Sequence, residues 1–191
     1  MQDRIDGESL NMARLEERYR EEIMPALMEE FSITNRMAAP VIRKVVVSMG
    51  VGRATEERKR LEDAQRDIAI VTGQKSMLTR AKKSVSNFKL RQGMEIGCKV
   101  TLRDARMYEF LDRLMNVAMP RIRDFRGVAG NFDNAGNFNI GVRDISIFPE
   151  IDLDSLQFQQ GLNVTLVTKN SDPEKSRRML ALMGMPFRRE S

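Results

Sequence analysis

Histidine is absent from the 191-residue chain and cysteine occurs once. Without histidine the commonest general base is gone, together with every histidine-dependent triad, so an enzymatic role is disfavoured. The lone Cys98 excludes an internal disulfide and the usual zinc ligand sets, and fits a reducing compartment. No run approaches the roughly 18 apolar residues that a membrane span needs. The opening MQDRIDGESLNMARLEERY lacks the apolar stretch of a signal peptide, so no membrane partner and a cytoplasmic location are expected. Internal repeats and low-complexity tracts are lacking too, and nothing calls for a cofactor or metal.

What is present suffices for a folded core. Hydrophobic residues make up 41% and charged residues 31% of the chain, a globular composition. Length predicts one domain over 12–191, preceded by a flexible, polar and acidic extension, 1–11. The net charge is +5 and the pI about 9.6, but the distribution is more telling. Between Lys75 and Arg103 there are eight Lys or Arg and one acid, a net of +7, whereas the remainder nets −2. A solubility surface mixes both signs throughout; one basic segment is the footprint expected for a phosphate backbone.

Periodicity predicts a helix carrying Met12, Leu15, Tyr19, Ile23 and Leu27, divided or kinked by Pro25. RKVVVSMGVG predicts a strand with a sharp exit at Gly50 and Gly52. A second helix follows over 56–71, with Gly73 beyond its end, then a short strand over 76–80 and a basic loop through Gly93. From Gly97 to Arg103, Cys98, Val100 and Leu102 alternate with Lys99, Thr101 and Arg103, so one side enters a core and the other presents donors and charge. Asp104 is placed to cap a third helix ending near Pro120. Strands are expected at 138–142 and in GLNVTLVTK, and a last helix in SDPEKSRRMLALMG. The pattern predicts an α+β fold: a mainly antiparallel sheet with helices packed on one face, the other face polar and RNA-facing.

Among possible chemical sites, Glu21 with Glu22, Glu29 with Glu30, and Glu56 with Glu57 are adjacent on helices and point apart, as solvated faces do. Asp152 and Asp154 suit turns and caps better than Mg²⁺. MGVGR lacks the third glycine of a dinucleotide fingerprint and the Gly-Lys-Ser/Thr end of a P-loop, which weakens a nucleotide-using enzyme as an alternative. Cys98 reads as a buried structural thiol, and most of the 14 methionines as core filler. The strongest constellation is TRAKKSVSNFKLRQG, where Arg80, Lys82, Lys83, Lys89 and Arg91 are interspersed with Ser84, Ser86 and Asn87. Phe88, flanked by Val85 and Leu90, is expected to anchor this loop to the core rather than to stack on a base. A free RNA chaperone or other non-ribosomal RNA-binding protein would share this charge pattern.

GQKSMLTRAKKSVSNFKLRQGMEIGCKVTLR, PRIRDFRG, GVRDISIFPEID and the closing MPFRR occur in fixed order. From about Met12 to Arg189 the chain resembles the bacterial large-subunit ribosomal protein family L-five, the carrier of 5S ribosomal RNA. The resemblance implies a non-catalytic structural constituent of the ribosome, and the lack of an Arg- and Ser-rich presequence favours a bacterial over an organellar host. Its partners would be 5S rRNA in the central protuberance, large-subunit rRNA, peptidyl-site tRNA, and a small-subunit protein across an intersubunit bridge. It places 5S recognition at Ser48, Gln74 and Thr101, with Lys99 and Arg103 on the same strand, and the chain departs from the family at Ser48, where the motif has Asn. The loop cations Arg80, Lys82, Lys83, Lys89 and Arg91, with Ser84, match the segment near tRNA and would bind tRNA or rRNA phosphates. The Gly- and Asn-rich GVAGNFDNAGN, or its neighbourhood, is the bridge candidate.

Overall fold

Leu15, Tyr19, Ile23 and Leu27, four residues apart in sequence, are all buried along one helical segment. The computed structural model describes residues 13–152 and 157–188; Met12 and the 1–11 extension lie outside them. The segment comprises α1 (Arg14–Arg18), a π-helical turn (Tyr19–Ile23) and α2 (Met24–Glu30). The division expected at Pro25 thus takes the form of a wide turn ending two residues before the proline. Proline has no N–H to give, and its ring crowds the carbonyl four residues back; the widened turn accommodates both.

The valine-rich stretch forms β1 (Val41–Gly50), with Val45, Val47 and Met49 buried and Ser48 half-buried between them. A 3₁₀ turn (Gly52–Thr55) leads to α3 (Lys59–Thr72), which buries Leu61, Ala64, Ile68 and Val71. Gly73 ends it with a left-handed φ of 64° and its N–H on the Ala69 carbonyl at 2.9 Å, a conformation that suits glycine. Next come β2 (Met77–Arg80), β3 (Glu95–Leu102) and α4 (Asp104–Arg113). The last runs on through a second π turn (Leu114–Ala118), again ending two residues before a proline, Pro120. Asp104 does not cap this helix. It is the first helical residue, at φ 53°, after Arg103, and no side chain caps the end. The chain closes with β4 (Phe138–Val142), β5 (Leu162–Lys169) and α5 (Pro173–Met183), where Asp172 caps Lys175 and Pro173 opens the first turn.

The five strands form an antiparallel sheet in the order β2-β3-β1-β5-β4, giving the α+β class expected. The described residues fall into two compact units, one within 13–45, 103–139 and 166–188, the other within 46–102, 140–152 and 157–165. In the first unit, Arg14 pairs with Asp112 at 3.0 Å and Arg178 with Glu30 at 2.7 Å. Phe132, Phe138 and Phe187 cluster with centroids 4.7–6.0 Å apart. The buried Tyr19 hydroxyl donates to the Pro40 carbonyl, and burial pushes its pKa up to about 12, with Arg36 acting the other way. In the second unit α3 packs on β3, where Cys98, Val100 and Leu102 are buried.

Tyr19→Phe leaves the Pro40 carbonyl without its buried donor, and should cost about 1–3 kcal/mol of unfolding free energy. Because the folded-state pKa of Tyr19 is raised, its contribution is intact below the ordinary phenol pKa of 10.0 and is lost as pH rises toward about 12. Urea titrations at pH 8 and pH 11 check both statements: the wild type should lose more stability across that interval than the variant.

Candidate nucleic-acid interface

Antiparallel pairing of β2 with β3 decides which side chains share a face. Met77 lies opposite Lys99, Leu78 opposite Cys98 and Thr79 opposite Gly97; directly opposed residues project to the same side. Met77, Thr79, Lys99 and Thr101 are therefore on one side of the pair, with Leu78, Cys98 and Val100 on the other. Met77 is 59% exposed, and Lys99 and Thr101 are half-buried. Thus Cys98, Val100 and Leu102 go inward and Lys99 and Thr101 do not, as the alternation predicts. Arg103 is exposed and belongs to the first unit, directly after β3.

Gln74 comes to the end of this strand, its side-chain amide reaching the Thr101 carbonyl at 3.5 Å. Gln74 and Thr101 are thus neighbours, although 27 residues separate them in sequence. Ser48 and Thr101 are both half-buried, and among the described residues their hydroxyls have no hydrogen-bond partner. Close strand approach sets the middle of the face: a Cβ on Gly97 would stand 2.6 Å from the Met49 carbonyl oxygen and 2.9 Å from Thr79 Oγ1.

On the inner side, burial pushes the Cys98 thiol up to about 11; the Ser76 hydroxyl pulls it down and Asp67 adds to the rise. A thiol held protonated this way is not a nucleophile at neutral pH. Asp67 is itself raised, by burial first, with Arg66 opposing and Asp63 reinforcing.

The basic loop is a closed finger. Ala81 exchanges backbone hydrogen bonds with Met94 and Gly93 (2.8 and 3.0 Å), Val85 and Leu90 bond each other twice (2.9 and 3.1 Å), and the Ser84 hydroxyl accepts from the Gln92 N–H at 2.9 Å. A 3₁₀ turn (Ser86–Phe88) and the left-handed Lys89 make the tip. Ser84 is thus a structural clasp as well as a polar group. Arg80 is not on the finger: it ends β2 and pairs with Glu95 at 3.1 Å, a carboxylate that also meets Arg58 at 3.8 Å. Among the described residues, the side chains of Lys82, Lys83, Lys89 and Arg91 have no ion-pair partner, and all four are exposed. Phe88 overturns the expected anchor. It is 75% exposed, because the finger is closed by backbone bonds between Val85 and Leu90 and needs no aromatic plug.

The other candidates resolve into structure. Glu22 pairs with Arg18, Glu30 with Arg178 and Glu57 with Arg60. Gly50 and Gly52 have no positive φ, and a Cβ at either would meet no atom within 4 Å, so the exit from β1 does not depend on glycine. Asp154 lies outside the described residues. The Gly- and Asn-rich loop belongs to the first unit, where Asp133 accepts from the Ala135 and Asn137 N–H groups and the Asn137 amide. The Asn137 side-chain oxygen Oδ1 in turn accepts from the Thr168 backbone N–H.

Residues 35–91 match the family model for ribosomal protein L5, and residues 95–187 match the model for the C-terminus of the same ribosomal family. The chain belongs to the ribosomal protein L5 family. A large ribosomal subunit protein uL5 of Syntrophus aciditrophicus is 52% identical over 178 residues, 93% of this chain and 99% of that protein. Those of Caldanaerobacter subterraneus and Clostridium botulinum are 52% and 49% identical over 177 residues, 92% of this chain and 99% of each. As an L5-family member the chain is a structural constituent of the large subunit of a bacterial ribosome, not an enzyme, and its partner there is ribosomal RNA.

Gly97→Ala places a methyl group against the backbone of β1, where no flexible side chain can yield. The expected loss is about 1–3 kcal/mol of stability, read as a lower urea midpoint; an unchanged midpoint would show that the strands can separate at no cost.

Proposed function

We propose that the outward side of β3 binds 5S rRNA and so helps attach it in the central protuberance. Ser48, Gln74, Lys99 and Thr101 would make the contacts, with Arg103 adding a cation. The observation that carries this reading is the pairing of Gln74 with Thr101 beside an unengaged hydroxyl, on the side of the strand away from α3. Hydroxyls and an amide suit the shallow minor groove of A-form RNA, where 2′-hydroxyls are read by hydrogen bonds, and Lys99 supplies charge for the flanking phosphates. Ser48, shorter than the amide the family has there, would reach the RNA through water or meet a different partner.

The finger is the second contact. Lys82, Lys83, Lys89 and Arg91 would neutralise phosphates of peptidyl-site tRNA or of large-subunit rRNA, while Arg80, paired with Glu95, mainly secures the base of the finger. The Gly- and Asn-rich loop, held by Asp133 and Asn137, is proposed to meet a small-subunit protein across an intersubunit bridge.

Thr101→Val keeps the side-chain shape and removes the hydroxyl, so the variant should fold while its affinity for 5S rRNA drops by about 1–3 kcal/mol. Filter binding alongside circular dichroism checks this; full affinity in a folded variant removes Thr101 from the contact. Lys82→Ala with Lys83→Ala should weaken tRNA and rRNA binding whatever the sequence. It should also reduce the slope of log affinity against log salt by about 1 to 2, whereas an unaltered slope would take the finger off the phosphate backbone.

A further inference from the structure

An aromatic ring at the tip of a rigid, cationic finger is not explained by phosphate binding or by folding. Phe88 is 75% exposed. The finger beneath it is closed by the Val85–Leu90 bonds and the Ser84 clasp, so the ring is not needed to close it. Its backbone is fixed by the Phe88 N–H on the Val85 carbonyl at 3.3 Å and the Lys89 N–H on the Ser86 carbonyl at 2.9 Å. The ring is therefore presented by an ordered turn. Lys89 follows Phe88 directly in the chain and, with Arg91, Ser84, Ser86 and Leu90, lines a hollow on the finger, while the single acid of the segment is engaged at the base of the finger.

We propose that Phe88 is a stacking platform for an unpaired nucleobase, with Lys89 and Arg91 gripping the phosphates beside that base. The inference rests on the reading of the finger as an RNA contact and adds the class of nucleotide it selects: one whose base face is open. An apolar pocket of a protein partner would also take a phenylalanine, but would not call for a finger whose exposed cations no neighbouring carboxylate offsets. A base offers a flat apolar face and an adjoining negative charge in one ligand, and stacking on it tolerates any base identity.

The test uses the full chain with two probes, a single-stranded oligoadenylate and an RNA duplex of equal phosphate number. Phe88→Ala and Phe88→Leu should lose between about 5- and 150-fold in affinity for the single strand, with an unchanged salt slope and little change on the duplex. Phe88→Trp should retain affinity. Because the chain has no other tryptophan, its fluorescence should be quenched by the single strand alone. Phe88 is exposed, so melting temperatures should stay level across the series. Phe88→Leu binding as well as phenylalanine, or Phe88→Ala binding undiminished while Lys82→Ala with Lys83→Ala weakens, overturns the stacking platform and leaves the phosphate contact standing. Undiminished binding in both sets instead overturns the RNA reading of the finger itself. In intact ribosomes, a photoreactive phenylalanine analogue at position 88 should crosslink to RNA; crosslinks to protein alone assign the ring to a protein pocket and refute the proposal.

Discussion

The close passage of β1 and β2 on either side of Gly97 is the constraint on which the proposed RNA face depends. With no Cβ, this residue lets the Met49 carbonyl and the Thr79 hydroxyl approach to distances that any side chain would forbid. That approach holds the register in which Lys99 is opposite Met77 and Cys98 opposite Leu78. A slip by one residue would turn Cys98, Val100 and Leu102 outward and bury Lys99 and Thr101. The same register carries the two strands out into the finger, so the sheet face and the fingertip are consequences of one alignment.

Charge is focused by a second local arrangement. Glu95, the one acid between Lys75 and Arg103, stands at the root of the finger, where it meets Arg80 and Arg58. Neutralisation is thus confined to the base and the cations further out are left uncompensated. Isolated exposed ion pairs contribute little stability, so the value of this one lies in where it leaves the remaining field: projecting from the tip, where an approaching polyanion meets it first.

Much of this is legible in the amino-acid order. Alternation over Gly97–Arg103 separates the buried from the outward residues of β3, and the three valines, Gly73 and Pro173 mark their elements where the structure has them. The nearness of Gln74 to Thr101 is not readable from spacing, and its place in the proposed site comes through family resemblance. Arg80 groups with the loop in sequence, but its pairing with Glu95 depends on a register shift between Thr79 and Arg80, which no periodicity announces. Phe88 misleads for a related reason: Val85 and Leu90 resemble an apolar anchor in sequence, yet they close the finger through their backbones. Asp104 has the chemistry of a cap, but its left-handed backbone does not make one.

The two π turns bear on the phase of a hydrophobic stripe. An α-helix returns to the same side every 3.6 residues, so side chains spaced by four drift about 40° around the axis at each step. Leu15, Tyr19, Ile23 and Leu27 keep that spacing, and so do Met107, Leu111, Met115 and Met119, yet every one of them is buried. Each series passes through a widened turn, which takes back part of the drift and returns the stripe to the core. In α3, which has no such turn, Leu61, Ala64, Ile68 and Val71 alternate steps of three and four, as an undistorted helix requires. An unbroken rhythm of four beside a proline is therefore a signature of helix widening, written in the hydrophobic residues before any backbone is seen.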